Sequence, residues 1–193
     1  MRPSGRLRVI AGEVGGLRLA APKGDRTRPT ADRVKESLFS SLGSAIEGAS
    51  VLDGYAGSGA LAIEALSRGA RGAVVVDRAA AARSVMRANL ATTGMTDRAS
   101  VLGGALESVL AAEPPPEAPF DVVFLDPPYD EPAVALERVL ALLADPEWTA
   151  AHARIVVERA VGSEGLTPPP GWDATWTRTV GSTLVSVLAR PVP

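Results

Sequence analysis

Two rhythms of apolar residues alternate along the central part of the chain. Short continuous runs (Val51-Leu52, residues 73–76, 100–102, 122–125 and 155–157) are interleaved with stretches in which apolar positions recur every three to four residues (61–68, 79–90, 105–110 and 134–143). The short runs fit strands buried on both faces, and the intervening stretches fit helices with one apolar side. Strand and helix in this repeat predict βα units, and so a parallel sheet with helices on both faces. After Pro170 the rhythm changes. Residues 172–180 and 183–188 flank Gly181-Ser182 and read as a closing hairpin. At the other end, Arg8-Val9-Ile10-Ala11-Gly12 and Leu17-Arg18-Leu19-Ala20 flank Gly15-Gly16, which predicts a second hairpin. A polar connector, 22–29, leads to Thr30, which is placed to cap a helix whose Val34, Leu38 and Leu42 share a face with Phe39 alongside, ending near Gly43. Residues 113–119 and 167–171 are proline-rich surface loops. The organisation expected is a basic hairpin extension over residues 1–28 and an α/β domain over 29–193.

A chain of 193 residues with 46% hydrophobic content can bury one good core. It has no cysteine, which excludes disulfides and thiolate metal sites, and its lone histidine, His152, argues against a histidine-rich metal site or a Ser-His-Asp triad. No metal is expected, and His152 reads as a surface or loop residue. No apolar stretch approaches the roughly 20 residues a bilayer requires, and no apolar segment follows the basic N-terminus, so a cytoplasmic monomer with no membrane partner is the expectation. The net charge of −2 conceals an asymmetry: residues 1–35 carry +6 and the rest −8. A basic arm on an acidic body points to a polyanion met at one end of the molecule, since phosphate contacts dominate nonspecific nucleic-acid affinity. Arg6, Arg8 and Arg18 are the candidates for such contacts, with Arg28 a candidate for phosphate or for closing the cleft.

Four apolar runs end in an acid: Asp53, Asp77, Asp126 and Glu158. In a parallel sheet the carboxyl ends of the strands share one edge, and ligands bind in the crevice there. The first three acids are expected to line one cleft. Glu158 reads equally well as a solvated strand end. The run before Asp126 stops abruptly at Pro127, which cannot donate to a sheet ladder. Asp126-Pro127-Pro128-Tyr129 then forms a stiff turn carrying a carboxylate, two proline carbonyls and a flat ring. Acceptors beside an apolar plate suit a planar base with an exocyclic amine, which stacks on the ring and donates to the oxygens.

The second motif is Asp53-Gly54-Tyr55-Ala56-Gly57-Ser58-Gly59-Ala60-Leu61-Ala62. Glycines at 57 and 59 permit positive φ and let a ligand lie against the backbone. Gly57-x-Gly59-x-x-Ala62 also satisfies the dinucleotide fingerprint, with Asp77 twenty residues past Gly57 where a ribose-binding acid belongs, so a nicotinamide enzyme is a rival. Charge separates the two. Asp53 would face a bound pyrophosphate with like-charge repulsion, but would attract an ammonium and sulfonium. Gly57 also follows its strand end by four residues, where the first fingerprint glycine normally follows at once.

The Asp126-Pro127-Pro128-Tyr129 order resembles the motif of S-adenosylmethionine-dependent methyltransferases that modify exocyclic amines of bases. That resemblance implies a Rossmann-like, seven-stranded, mostly parallel sheet, with Asp126 and the Pro127 carbonyl holding the amine and Tyr129 stacking. It implies that Gly57, Ser58 and Gly59 pass under the methionine moiety, Asp53 faces its charged end, Asp77 binds both ribose hydroxyls and Arg78 helps cover the adenine. Thr30, in the segment expected to fold over the cleft, joins the cofactor candidates, with a helix cap as its alternative role. Gly103-Gly104-Ala105 departs from the family pattern, which often has an Asp or Asn there; main-chain groups of Gly104 and Ala105, or a water, would have to replace it. Residues 8–12, 27–30, 33–39, 56–61 and 64–70 together closely resemble the RsmD-type guanine-N2 methyltransferases of bacterial small-subunit ribosomal RNA. This implies methylation of one guanine in 16S RNA, with the small subunit or its assembly intermediate as partner. A catalytically silent RNA-binding or assembly factor on the same fold is the third reading.

Overall fold

The computed structural model describes residues 7–22, 30–128 and 130–191. Seven strands form one sheet: β1 (Ser50–Asp53), β2 (Gly72–Asp77), β3 (Ala99–Gly103), β4 (Phe120–Leu125), β5 (Thr149–Ala160), β6 (Asp173–Val180) and β7 (Thr183–Ala189). Their spatial order is β3-β2-β1-β4-β5-β7-β6. The first five are parallel, and β7 runs antiparallel to both β5 and β6. The helices are α1 (Thr30–Leu42), α2 (Ala60–Ser67), α3 (Ala80–Thr93), α4 (Leu106–Leu110) and α5 (Ala133–Leu143). This is the α/β, Rossmann-like class I methyltransferase arrangement. The strand order reverses between β1 and β4, and that is where an open α/β sheet leaves its crevice.

Alternation along the strands divides the core into two layers. Val51, Val75, Val122, Phe124, Val156, Val185 and Val187 face α1, α2 and α3. Leu52, Val74, Val76, Val123, Leu125, Ile155 and Val157 face α4 and α5. The runs show no polar alternation because both faces are covered. On α1, Val34, Leu38, Phe39 and Leu42 are buried, as their spacing predicts, and the Phe39 ring meets Phe124 at 5.6 Å between centroids. The helix starts at Thr30, whose side chain lies outside the described part.

One element differs from the reading of the sequence. β5 extends over 12 residues and does not stop at Glu158, because β7 pairs alongside it as far as Ala160. His152 lies on that strand as a surface residue, as read from the sequence, 2.9 Å from Asp121.

The N-terminal segment forms a hairpin-like loop, with Val9 donating to the Leu17 carbonyl at 2.9 Å, Leu19 to Leu7 at 2.9 Å and an isolated bridge between Arg8 and Arg18. Val9 and Leu19 are buried in the layer that holds α2 and α3, so the described part of the hairpin shares the domain's core. What holds it there is Glu64 of α2, fully buried, which accepts from Ile10 N at 2.7 Å and Ala11 N at 3.1 Å while pairing with Arg68 at 2.7 Å and Lys35 at 3.7 Å. Ser67 adds a second clamp, accepting from Val14 N and donating to the Ala11 carbonyl. Gly12 lies so close that a Cβ there would sit 1.9 Å from the Ser67 carbonyl oxygen.

Candidate active site

β1 delivers Asp53 to the carboxyl edge of the sheet, beside Val75 of β2 and Phe124 of β4. The chain then has to turn within a crowded space. A Cβ on Gly54 would come 2.5 Å from a Leu106 methyl, so any larger residue would have to push the Leu106 side chain aside. The turn that follows is pinned by Ala56 N donating to the Val76 carbonyl at 3.0 Å and Gly57 N donating to Asp77 at 2.9 Å. Gly57 and Gly59 both adopt positive φ, 52° and 76°, and Gly59 starts α2. A Cβ on Gly57 would meet nothing within 4 Å, so the loop presents bare backbone to an open cradle.

Asp53 is 1% exposed. One of its oxygens accepts from Ala62 N at 3.2 Å at the start of α2; the other, Oδ1, is buried and has no partner. Burial lifts its pKa to about 7, and the nearby charges of Asp126 and Asp77 add to the rise against the Ala62 hydrogen bond. An orphan carboxylate oxygen is costly in a finished core. Beside an open glycine cradle it suits a cationic ligand. This acceptor therefore fits the ammonium end of S-adenosylmethionine.

Asp77, at the end of β2, uses its carboxylate on its own surroundings: one oxygen takes Gly57 N and the other Ala79 N at 2.7 Å. Each oxygen keeps a lone pair, and the side chain is only partly buried, so the expected ribose contacts remain geometrically open. Arg78 is exposed. The Gly104 N–H is turned back to the Asp77 carbonyl at 3.4 Å, which shifts any main-chain contact to adenine toward Ala105. Ser58 is buried, and its carbonyl accepts from Asn89 of α3 at 2.8 Å. The same Asn89 exchanges a pair of hydrogen bonds with Ala20 of the hairpin, at 2.8 and 2.9 Å. The basic extension and the glycine loop are thus joined through one amide.

Asp126 leaves β4 exposed, Pro127 is buried and Pro128 exposed. Tyr129 lies outside the described residues, as do Arg6 and Arg28. On β5, Val157 pairs with Leu125, so Glu158 falls next to Asp126 across the strands. Burial pushes the Glu158 carboxyl well up, with Asp126 and Asp53 raising it further. The rim thus gathers Asp53, Asp77, Asp126 and Glu158. The alternative reading of Glu158 as a solvated strand end is not what the fold does, because β5 continues past it and β7 covers its outer side.

Sequence reasoning passed over Tyr55. It stands in the glycine loop with its hydroxyl buried and unpartnered, and burial together with Glu107 and Glu131 raises its pKa, opposed by Arg78. It thereby marks where the loops after β1, β2, β3 and β4 converge. Its place inside the Asp53-to-Gly59 turn was the available signal. Of the basic candidates, Arg18 is exposed, whereas Arg8 is held by Asp32 at 2.9 Å. Lys35, counted in the basic arm, is buried against Glu64 and the Arg8 carbonyl.

Comparison with known proteins bears on the whole chain. Residues 7–189 match the model of a family described as conserved hypothetical protein 95. The ribosomal RNA small subunit methyltransferase D of Escherichia coli K12 is 37% identical over 187 residues, covering 97% of this chain and 91% of its own length. YlbH of Bacillus subtilis, provisionally described as an rRNA methyltransferase, is 39% identical over 95% of this chain and 99% of its own. Among solved structures, the Escherichia coli protein yhhF, provisionally assigned as a methyltransferase, superposes with a TM-score of 0.84 at 34% identity, covering 98% of this chain and all of that one.

Proposed function

The chain belongs to the family of conserved hypothetical protein 95 and the ribosomal RNA small subunit methyltransferase D enzymes, and from that premise we propose that it transfers a methyl group from S-adenosylmethionine to the exocyclic N2 amine of one guanine in 16S ribosomal RNA. The observation that carries the reading is the unpartnered, buried Oδ1 of Asp53 beside the open cradle at Gly57, one strand away from Asp126-Pro127-Pro128. A cationic ligand completes that carboxylate, whereas the pyrophosphate of a dinucleotide would add negative charge to a rim that already holds four acids.

When bound, S-adenosylmethionine supplies an electrophilic methyl carbon next to its sulfonium. The work left to the protein is placement. A guanine N2 lone pair is delocalised into the ring, so the amine is a poor nucleophile until its hydrogens are held and its geometry is bent toward the tetrahedral form. The Asp126 carboxylate and the Pro127 carbonyl, fixed in a stiff turn at the end of β4, accept those hydrogens and aim the nitrogen at the cleft. Asp126 also offsets the positive charge that develops on nitrogen, and the surplus proton leaves after transfer. Direct displacement asks for no covalent adduct with the enzyme. Arg18 and Arg8 are the candidates for phosphate contacts, and the family resemblance extends that role to Arg6 and Arg28 and a stacking role to Tyr129, three residues outside the described part.

The test is transfer of labelled methyl from S-adenosylmethionine into small subunits that lack the modification, with the product nucleoside identified by mass spectrometry. N2-methylguanosine at one position is expected. Label in another base, label in the large subunit alone, or none at all contradicts the reading.

A further inference from the structure

A second depression lies away from the acid-lined rim. Arg33, Glu36, Ser37, Ser40 and Ser41 of α1 face Trp176, Arg178 and Val180 of β6 across a groove of about 580 Å³. The cross-strand register fixes its relation to the outer end of the rim. Arg178 pairs with Val185, which pairs with Glu158, so Arg178 stands in the same row as Glu158, two strands outward, roughly 10 Å at the usual strand spacing. Trp176 pairs with Val187 and through it with Val156, one step deeper along the same face. The helix runs the same way. Arg154, at the far end of the β5 pairing, reaches the carbonyls of Ser41 and Leu42 at the C-terminus of α1, so the N-terminal turn of α1, with Arg33, points toward the catalytic edge. The groove therefore lies on the α1 face of the sheet, beyond the outer end of the rim at Glu158.

The lining is unusual for a furrow between a helix and an edge strand. Arg33 is exposed and makes no ion pair among the described residues; Arg178 is exposed and donates to the Ser37 hydroxyl at 3.1 Å; Trp176 packs on the core with one side and is partly open on the other. Two guanidiniums against the single carboxylate of Glu36, a row of serine hydroxyls and a half-open indole match what an unpaired RNA strand offers: phosphates, ribose hydroxyls and base faces.

We propose that this groove holds the single-stranded ribosomal RNA immediately flanking the target guanine. Resting on the rRNA methyltransferase reading above, this adds a route for the strand as it leaves the active site: over the N-terminal turn of α1, with a phosphate on Arg33, another on Arg178, and a base on Trp176. Such a clamp on the flanking strand holds the nucleotide out of its stack while the amine is positioned.

The experiment compares methyl transfer to unmodified small subunits by wild type, the double variant Arg33→Glu/Arg178→Glu, and Arg138→Glu, a charge reversal on the exposed side of α5 on the opposite face of the sheet. The groove variant should raise KM for subunits at least tenfold and flatten the salt dependence of binding by a log-log slope of roughly two, one per phosphate lost. Its affinity for S-adenosylmethionine should stay at the wild-type value, and Arg138→Glu should change little. A photo-crosslinking side chain at position 40 should label RNA within a few nucleotides of the methylated guanine. A groove variant with wild-type KM and slope, or crosslinks only to distant RNA, overturns the groove while leaving the methyltransferase standing. Wild type that methylates no subunit overturns both.

Discussion

Asp53 is the residue on which the cofactor side of the account turns, and its titration gives the first prediction. In the unfolded chain its carboxyl titrates near the ordinary 3.8, and in the fold near 7. Its contribution to stability is therefore fully present below about pH 4 and declines as pH rises to about 7, where the buried carboxylate has formed. Asp53→Asn removes that decline, so at pH 8 the variant should melt a few degrees higher than wild type, the difference vanishing near pH 4 in a calorimetric series. A cationic ligand wants the ionised form. Affinity for S-adenosylmethionine should accordingly rise about tenfold per pH unit up to about pH 7 and level off above it, and in Asp53→Asn it should be weak and flat. Gly57→Ala separates fold from site in another way: its Cβ meets no protein atom but occupies the cradle at a strained φ, so stability should drop by only ~1 kcal/mol while calorimetric titration finds cofactor binding abolished. Asp53, Asp77 and Asp126 were legible because each ends an apolar run. The roles of Glu64 and Asn89 were not, since both sit on helices in patterns that read as ordinary polar faces, and the hairpin backbone groups they hold, at Ile10 and Ala20, are more than fifty residues away.

At the level of elements, the hairpin is fastened by buried hydrogen bonds rather than by its own ladder. Glu64→Ala would leave Lys35 buried without its carboxylate and the N–H groups of Ile10 and Ala11 without an acceptor. A loss of about 3–5 kcal/mol follows from breaking such a buried pair, readable as a lower denaturant midpoint. Asn89→Ala should act more locally. It cuts the links from Ala20 and to the Ser58 carbonyl, so the expected result is weaker S-adenosylmethionine binding in titration, with much of the stability retained. Strand and helix positions were readable to within a few residues from period alone, because the parallel strands are covered on both faces and helices such as α1 and α5 bury one apolar side. β5 was the exception. Its extension to Ala160 depends on pairing with β7, a contact between distant segments that no local pattern encodes.

For the whole molecule, the charge asymmetry bears on how the proposed RNA substrate would be met. Part of the N-terminal positive charge is spent internally, on the Lys35–Glu64 and Arg8–Asp32 pairs. Exposed Arg18, Arg33 and Arg178 are spread over the hairpin, α1 and β6, which one-dimensional counting could not reveal. The measurement that bears most directly on the central claim is single-turnover methyl transfer to unmodified small subunits by Asp126→Asn, alongside its S-adenosylmethionine affinity. An amide still accepts one hydrogen bond but cannot offset charge on the amine, so transfer should slow at least a hundredfold while cofactor affinity holds within a few-fold of wild type. Near-normal transfer by that variant, with the cofactor bound as usual, would contradict the assignment of the rim as the place where the amine is aimed.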